Sequence, residues 1–145
     1  MGHGTDSTMR HAAALVALVL AVPTAGCVAQ AAPGHGLAGS EWSFTSIDGE
    51  KPASNKAKIS FEKDRLSANV GCNGTGGPWR VEDGRLVAGP LMQTEMYCAG
   101  PVWNQELATT ALLVAAPQIS LEGDRMELRS RGHFAELTRL PDTAE

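Results

Sequence analysis

The sequence has no run of basic residues and little charge of either sign. Its 12 Lys and Arg stand singly against 16 Asp and Glu, which gives a net charge of −4. Because binding to a phosphate backbone needs a concentrated basic field, this composition excludes nucleic acid as a partner. Aromatic residues are also scarce, at 5%, but hydrophobic residues make up 43% of the 145 residues, which is typical of one globular domain rather than a disordered chain.

The chain lacks the motifs of metal and catalytic sites. It contains no C-x-x-C, no closely spaced pair of histidines and no H-E-x-x-H, so we expect no metal ion and no cofactor. Cys98 and His133 are a candidate nucleophile and base, but nothing in the sequence places the third group that would orient the histidine. We therefore expect a protein that is not an enzyme.

No apolar run is long enough to span a bilayer as a helix, which needs about 20 residues. The longest run, residues 12–22, follows Arg10 and leads into small residues that end at Cys27. This order is typical of a secretory signal peptide, predicted over residues 1–26. Asp6 fits poorly in the positive start of such a signal, so the true start is either Met1 or Met9.

The placement of Cys27 at the expected cleavage point resembles the lipobox of bacterial lipoproteins, whose cysteine carries acyl chains such as palmitate. Thr24 stands where that pattern usually has Leu, so ordinary cleavage beside an incidental cysteine stays open. A lipid on Cys27 would bind the protein to a membrane without a spanning helix. By the same resemblance, Val28 favours the periplasmic side of the outer membrane in a bacterial cell envelope, with the inner membrane as the alternative.

The segment over residues 27–38 has no periodic apolar face and predicts a flexible tether. It precedes a domain over residues 39–140 and a C-terminal tail over 141–145. Within the domain, apolar residues mostly alternate with polar ones, as in half-buried strands. Asp83-Gly84 is the strongest hairpin signal between two such strands.

One segment departs from this alternation. Near residues 101–115, four apolar residues fall on one stripe at helical spacing: Trp103, Leu107, Ala111 and Val114. Pro101 suits the first turn of a helix. The predicted fold is therefore mainly β (α+β), a small antiparallel curved sheet or barrel of about seven to nine short strands with one helix near residues 101–115.

Cys72 and Cys98 are the remaining cysteines. In an exported chain the oxidising compartment favours a disulfide between them. The bridge would join the loop after the third strand to the segment before the helix, and the chain-entropy model gives it about 3–4 kcal/mol.

Three other features have more than one interpretation. The glycine-rich residues 71–77 are either a phosphate cradle or, as we expect, a tight connection between strands, because the Lys-Ser/Thr ending of a P-loop is absent. The tryptophans, which are Trp42, Trp79 and Trp103, are expected in the core, with a ligand platform as the alternative. Glu106 on the helix is either functional or merely solvated.

Several residues combine into a recognisable pattern: Gly39-x-x-Trp42, Gly71-Cys72-Asn73 followed by Gly77, Thr94 to Cys98, and Glu106 on the following helix. This combination resembles the META domain of the HslJ heat-shock family and covers about residues 39–140. Between Asn73 and Gly77 the family usually has a basic and an aromatic residue, whereas this chain has Gly-Thr-Gly.

The resemblance implies a compact β-rich fold with a helix, an envelope location, a link to stress, no agreed reaction, and a disulfide between Cys72 and Cys98. We therefore expect a monomeric, non-enzymatic, lipid-anchored envelope protein that binds another protein or a small ligand under heat or drug stress. The alternative is a lipocalin-like β-barrel inhibitor or carrier with a cavity lined by the tryptophans.

Overall fold

A computed structural model describes residues 36–142. The predicted signal peptide, Cys27, most of the tether and the last three residues of the tail lie outside the described residues, so they stay predictions. The elements are β1 (Ser40–Ile47), β2 (Lys58–Phe61), β3 (Arg65–Asn69), β4 (Gly74–Glu82), β5 (Arg85–Ala88), β6 (Met92–Gln93), α1 (Pro101–Val114), β7 (Gln118–Glu122), β8 (Arg125–Arg129) and β9 (Phe134–Arg139). Within residues 36–142 no helix is long and apolar enough to cross a membrane.

The strands form a closed antiparallel barrel. Neighbouring strands are hydrogen-bonded in the order β3, β2, β1, β9, β8, β7, β5 and β4. The last strand, β4, also pairs with the first, β3, which completes a circle of eight strands. The short β6 follows β5 after three residues and pairs with the beginning of β4, at Gly76 and Thr75. The predicted fold class, mainly β with one late helix, is confirmed.

Asp-Gly turns connect the strands as the sequence predicts. Asp83 and Gly84 both have positive φ, at 50° and 71°, between β4 and β5. Positive φ at both central residues is the mark of the hairpin turn whose twist matches the flanking strands, and Asp-Gly is a preferred pair for it. Asp48-Gly49 has the same feature after β1, with φ of 51° and 84°.

The barrel interior is filled by side chains. Alternate residues of the strands point inward, so that Leu66 and Ala68 of β3 are buried while Ser67 is exposed. The largest fully buried side chains are Trp42, Phe61, Leu37, Ile47, Ile59, Leu66, Leu86, Leu112, Leu113, Met126, Leu128 and Leu137. An eight-stranded barrel is just wide enough for side chains to fill it, and in this domain they do.

The helix lies at the end of the barrel where β1 finishes. Gln105 of α1 accepts a hydrogen bond from the backbone N–H of Ala53 at 2.8 Å and donates one to the carbonyl of Lys51 at 2.9 Å, both in the loop between β1 and β2. The chain enters the barrel at the opposite end, where Leu37 is buried beside the start of β1. Residues 36–39 and the first turns of the helix are therefore at opposite ends of the barrel.

The prediction that the apolar stripe is the buried face of the helix is wrong. Trp103, Leu107 and Val114 are 39%, 51% and 64% exposed, and Ala111 is exposed as well. The buried residues of α1 are instead Gln105, Glu106, Ala108, Thr109, Leu112 and Leu113. The reason is that the helix covers loop backbone at the barrel end, which needs hydrogen-bonding partners, and only its last turns reach the apolar core.

The glycine-rich segment also differs from the expected connection. The link between β3 and β4 is only residues 70–73, and Gly74 to Gly77 belong to β4. A Cβ on Gly76 would lie 2.8 Å from the carbonyl oxygen of Leu66 on β3. These glycines therefore permit a close approach of neighbouring backbone, which is the usual reason for glycine inside a strand.

Candidate functional site

The side chain of Asn73 fastens the segment before the helix to the barrel. Its Oδ1 accepts hydrogen bonds from the Thr94 hydroxyl at 2.9 Å and the Met96 N–H at 2.7 Å. Its Nδ2 donates to the Met96 carbonyl at 3.0 Å and to Glu106 Oε1 at 2.8 Å. Since an amide side chain can make about four hydrogen bonds, Asn73 is fully used within the fold.

Glu106 is the second member of this cluster. It is 4% exposed, so the interpretation of a solvated helix residue is wrong. Its carboxylate accepts three hydrogen bonds of 2.8 Å, from the Asn73 N–H, from Asn73 Nδ2 and from Gln93 Nε2. All three partners are neutral, and their N–H donors offset the cost of burying the carboxylate.

The disulfide closes the same cluster. Cys72 and Cys98 are bonded, with Cα atoms 6.3 Å apart, and join the loop after β3 to the segment before α1 as predicted. Sulfur and carboxylate atoms of Cys72, Cys98 and Glu106 lie within 4.8 Å of one another. Because the two sulfurs are bonded to each other, they offer no thiolates, and the cluster is a structural clamp in this oxidised form. We call Cys72, Asn73, Cys98 and Glu106 the clamp.

A groove of ≈ 480 Å³ lies on the outer face of the barrel next to the clamp. Gly74 and Gly76 of β4 form its floor because they have no side chains. Residues of β2, β3 and the β6 segment form its walls, among them Lys58, Ser60, Arg65, Ser67, Asn69, Met92 and Thr94. Thr94 belongs to both features, since its hydroxyl donates to Asn73 and accepts from the Gly74 N–H at 3.2 Å. We call this feature the β4 groove.

The β4 groove has a positive lining. Lys58 and Arg65 contribute two cations, and among the described residues no Asp or Glu lines it. Lys58 Nζ is 2.7 Å from Glu41 Oε1, an exposed ion pair. Within residues 36–142, Arg65 has no ion-pair partner. The hydroxyls of Ser60 and Ser67 lie 2.8 Å apart between these two cations.

The three tryptophans do not come together. Trp42 is fully buried, donates from Nε1 to the Ser40 hydroxyl at 2.7 Å, and has the Arg139 guanidinium over its ring. Trp79 packs edge-on against Phe61, with ring centroids 5.0 Å apart. A second groove of ≈ 860 Å³ is lined by residues 43–45, residues 51–55, Gly71 and Val102. Within the described chain, no tryptophan lines either this groove or the β4 groove. The lipocalin-like alternative, which needs a tryptophan-lined cavity, is therefore not supported.

The candidate nucleophile and base are not neighbours. Cys98 is in the disulfide, whereas His133 lies in the turn between β8 and β9 with Nδ1 2.7 Å from Asp48 Oδ2. Asp48 also accepts a hydrogen bond from the Phe134 N–H at 2.9 Å, so the pair fixes the end of β1 against β9. Sequence reasoning missed this contact because the two residues are 85 positions apart.

Comparison with known proteins places this chain in a family. The model of the META domain matches residues 35–142. The heat shock protein HslJ of Escherichia coli K12 is 29% identical over 126 residues, which cover 83% of this chain and 89% of that protein.

Two solved structures have the same fold. One NMR structure has a TM-score of 0.65 at 24% identity and covers 75% of this chain and 95% of its own. A second, of a protein from Burkholderia xenovorans, has a TM-score of 0.58 at 22% identity and covers 72% and 83%. On the family match over most of its length, and with the clamp residues of the expected motif in contact, the chain belongs to the META domain family.

Proposed function

We propose that this protein is a non-enzymatic, lipid-anchored component of the bacterial cell envelope that works by binding, and that it serves under heat or drug stress. The signal-like N-terminus ending at Cys27 supports the anchor and a place on the periplasmic side of the outer membrane. The likeness to a protein named heat shock protein HslJ supports the link to stress.

The observation that carries the binding function is the β4 groove held by the clamp. One wall of the groove, the segment around Thr94, is fixed by the hydrogen bonds of Asn73 and by the disulfide at Cys98. A surface held in one conformation loses little entropy when a ligand binds, which favours affinity. The reactive groups of the clamp are occupied, because the cysteines are bonded and Glu106 accepts three hydrogen bonds. Binding rather than catalysis is the role that such a site can perform.

Filling the groove tests this function. A Cβ on Gly74 would meet only Asn69 Nδ2, at 4.0 Å, and Gly74 is not in the positive-φ region. Gly74→Trp therefore places a large side chain in the groove without backbone strain. A photo-crosslinking residue at Met92, which is 76% exposed, reports what occupies the groove in envelopes of heat-stressed cells.

We expect a crosslinked product from position 92 that disappears in the Gly74→Trp background. The matched control carries the same crosslinker at Arg131, an exposed residue in the turn between β8 and β9. The proposal fails if both positions capture the same products, or if Gly74→Trp leaves the product from position 92 unchanged.

A separate experiment tests the anchor. Metabolic labelling with palmitate is expected to label the natural chain, and Cys27→Ala is expected to remove the label and release the protein from the membrane fraction. Label that survives Cys27→Ala refutes acylation at this residue. The binding proposal does not depend on this result.

A further inference from the structure

We infer that the β4 groove binds an anionic saccharide, a hydroxylated ring that carries a carboxylate or a phosphate. This inference rests on the proposed binding function and adds the chemical class of the ligand. It is carried by the charge, the hydrogen-bonding groups and the shape of the groove.

The charge of the groove is opposite to that of the chain. Two cations, Lys58 and Arg65, line a surface to which no described carboxylate contributes, in a protein whose net charge is −4. Lys58 already has Glu41 at 2.7 Å, so Arg65 is the cation most available to an incoming anion. A guanidinium can bind a carboxylate or a phosphate through two parallel hydrogen bonds.

The neutral groups of the groove suit hydroxyls. Ser60 and Ser67 stand on one side of the glycine floor, and Thr94 stands on the other. Each hydroxyl offers one donor and two acceptor positions, so the Ser60 to Ser67 hydrogen bond leaves capacity for a ligand. Thr94 already donates to Asn73 and accepts from the Gly74 N–H, so it keeps one acceptor position, and a ring with several hydroxyls can form hydrogen bonds to both walls at once.

The shape of the groove suits a ring lying flat. Gly76 pairs with Met92, so the exposed Met92 side chain lies beside the floor, where Gly74 and Gly76 flank the buried Thr75. The exposed apolar side chain of Met92 can cover the C–H groups on one face of a sugar ring. The floor lets the ring approach the backbone of β4 closely.

Other ligand classes fit less well. An extended peptide that adds a strand needs a free sheet edge, and because this part of β4 already pairs with β3 and β6, the edge left at the groove is that of the two-residue β6, which is too short to hold an extended peptide. Nucleic acid bases need aromatic residues on which to stack, and none of the described residues that line the groove is aromatic.

The test is a titration followed by the backbone amide resonances of the intact domain. The probes are trigalacturonate, its neutral methyl ester, glucose 6-phosphate and glucose. We expect either anionic probe to shift the amides of Ser67, Gly74, Gly76 and Thr94, and the carboxylate and phosphate arms tell which anion is preferred. The neutral partner of the preferred probe is expected to bind at least about tenfold more weakly, since the charge contact is lost.

Two variants locate the contact. Arg65→Gln is expected to weaken the preferred anionic probe by about tenfold, and Gly74→Trp is expected to abolish its binding. Arg131→Gln removes a similar charge at a distant turn and is expected to change the affinity by less than about twofold.

The ligand class is overturned if charged and neutral probes bind equally, if the shifts lie elsewhere on the barrel, or if no probe binds. When no probe binds but the crosslink from position 92 still depends on Gly74, the binding function stands and only the saccharide is wrong. When the crosslink fails as well, the proposed function is wrong too.

Discussion

Glu106→Gln is the sharpest test of the clamp. The substitution keeps the size and shape of the side chain but replaces one carboxylate oxygen by an NH₂ group. In the natural protein both oxygens face N–H donors only: the Asn73 N–H on Oε2, and Asn73 Nδ2 with Gln93 Nε2 on Oε1. A glutamine side chain has only one oxygen, so its NH₂ group must face at least one of these N–H donors, and no hydrogen bond can form there.

The size of the effect follows from these contacts. With the glutamine oxygen toward Asn73 Nδ2 and Gln93, the variant loses one hydrogen bond to a charged group, worth about 1.5–3 kcal/mol. The two hydrogen bonds to the remaining oxygen also weaken by roughly half, because that oxygen is no longer charged. Relief from burying a charge offsets part of this loss. We therefore expect the free energy of unfolding to fall by about 2–4 kcal/mol, or Tm by about 10–20 °C for a domain of this size.

Guanidinium denaturation followed by far-UV circular dichroism measures this change, on chains with Cys27 replaced and the disulfide intact. Glu95→Gln is the matched control, because Glu95 is exposed and close in sequence. We expect its effect to stay within about 0.5 kcal/mol. If Glu106→Gln is as stable as Glu95→Gln, the carboxylate does not hold the clamp, and its three hydrogen bonds are not the reason for its burial.

Three further predictions concern the same region. Thr109→Val is expected to stabilise the protein by about 1 kcal/mol in the same denaturation assay, because the buried Thr109 hydroxyl has no hydrogen-bond partner among the described residues. A loss of stability would mean that the hydroxyl has a hydrogen-bond partner. Gly76→Ala is expected to lower the free energy of unfolding by about 1–3 kcal/mol, since its Cβ would lie 2.8 Å from a β3 carbonyl oxygen. Gly74→Ala, the control, should change this free energy by no more than about 0.5 kcal/mol. Equal effects of the two substitutions would refute the close approach of β3 to Gly76. Thiol titration of the unreduced chain with Cys27 replaced should find no free thiol, and reduction of Cys72 and Cys98 should lower the free energy of unfolding by about 2–4 kcal/mol.

Local patterns predicted most of the barrel because its strands and turns depend on neighbouring residues. Alternation places Leu66 and Ala68 inward on β3, and Asp83-Gly84 forms the turn that its residue types favour. The disulfide was also predictable, because the signal-like N-terminus predicts export and an oxidising compartment favours pairing of cysteines. What alternation does not determine is whether a sheet stays open or closes, and in this fold the pairing of β3 with β4 decides that.

The clamp was only partly predictable. Asn73 and Glu106 are 33 residues apart, and periodicity contains nothing to connect them. The family motif marked both residues as belonging together but not why. The structure supplies the reason: the motif residues satisfy one another inside the protein, and they fix the segment that forms one wall of the β4 groove.

The helix is where the rule of burying the apolar face fails, and the failure has a physical cause. Apolar residues at Trp103, Leu107 and Val114 remain exposed because burying that stripe would turn Gln105 and Glu106 toward solvent and would also take Leu112 and Leu113 out of the core. The backbone groups of Lys51, Ala53 and Asn73 would then be left without partners at the barrel end. The Asn73 N–H is buried, so leaving it unsatisfied costs about 1–3 kcal/mol, whereas the groups of Lys51 and Ala53 are only partly buried and cost less; the core burial of Leu112 and Leu113 would be lost as well. Hydrogen bonding to loop backbone, rather than apolar burial alone, therefore decides the orientation of α1.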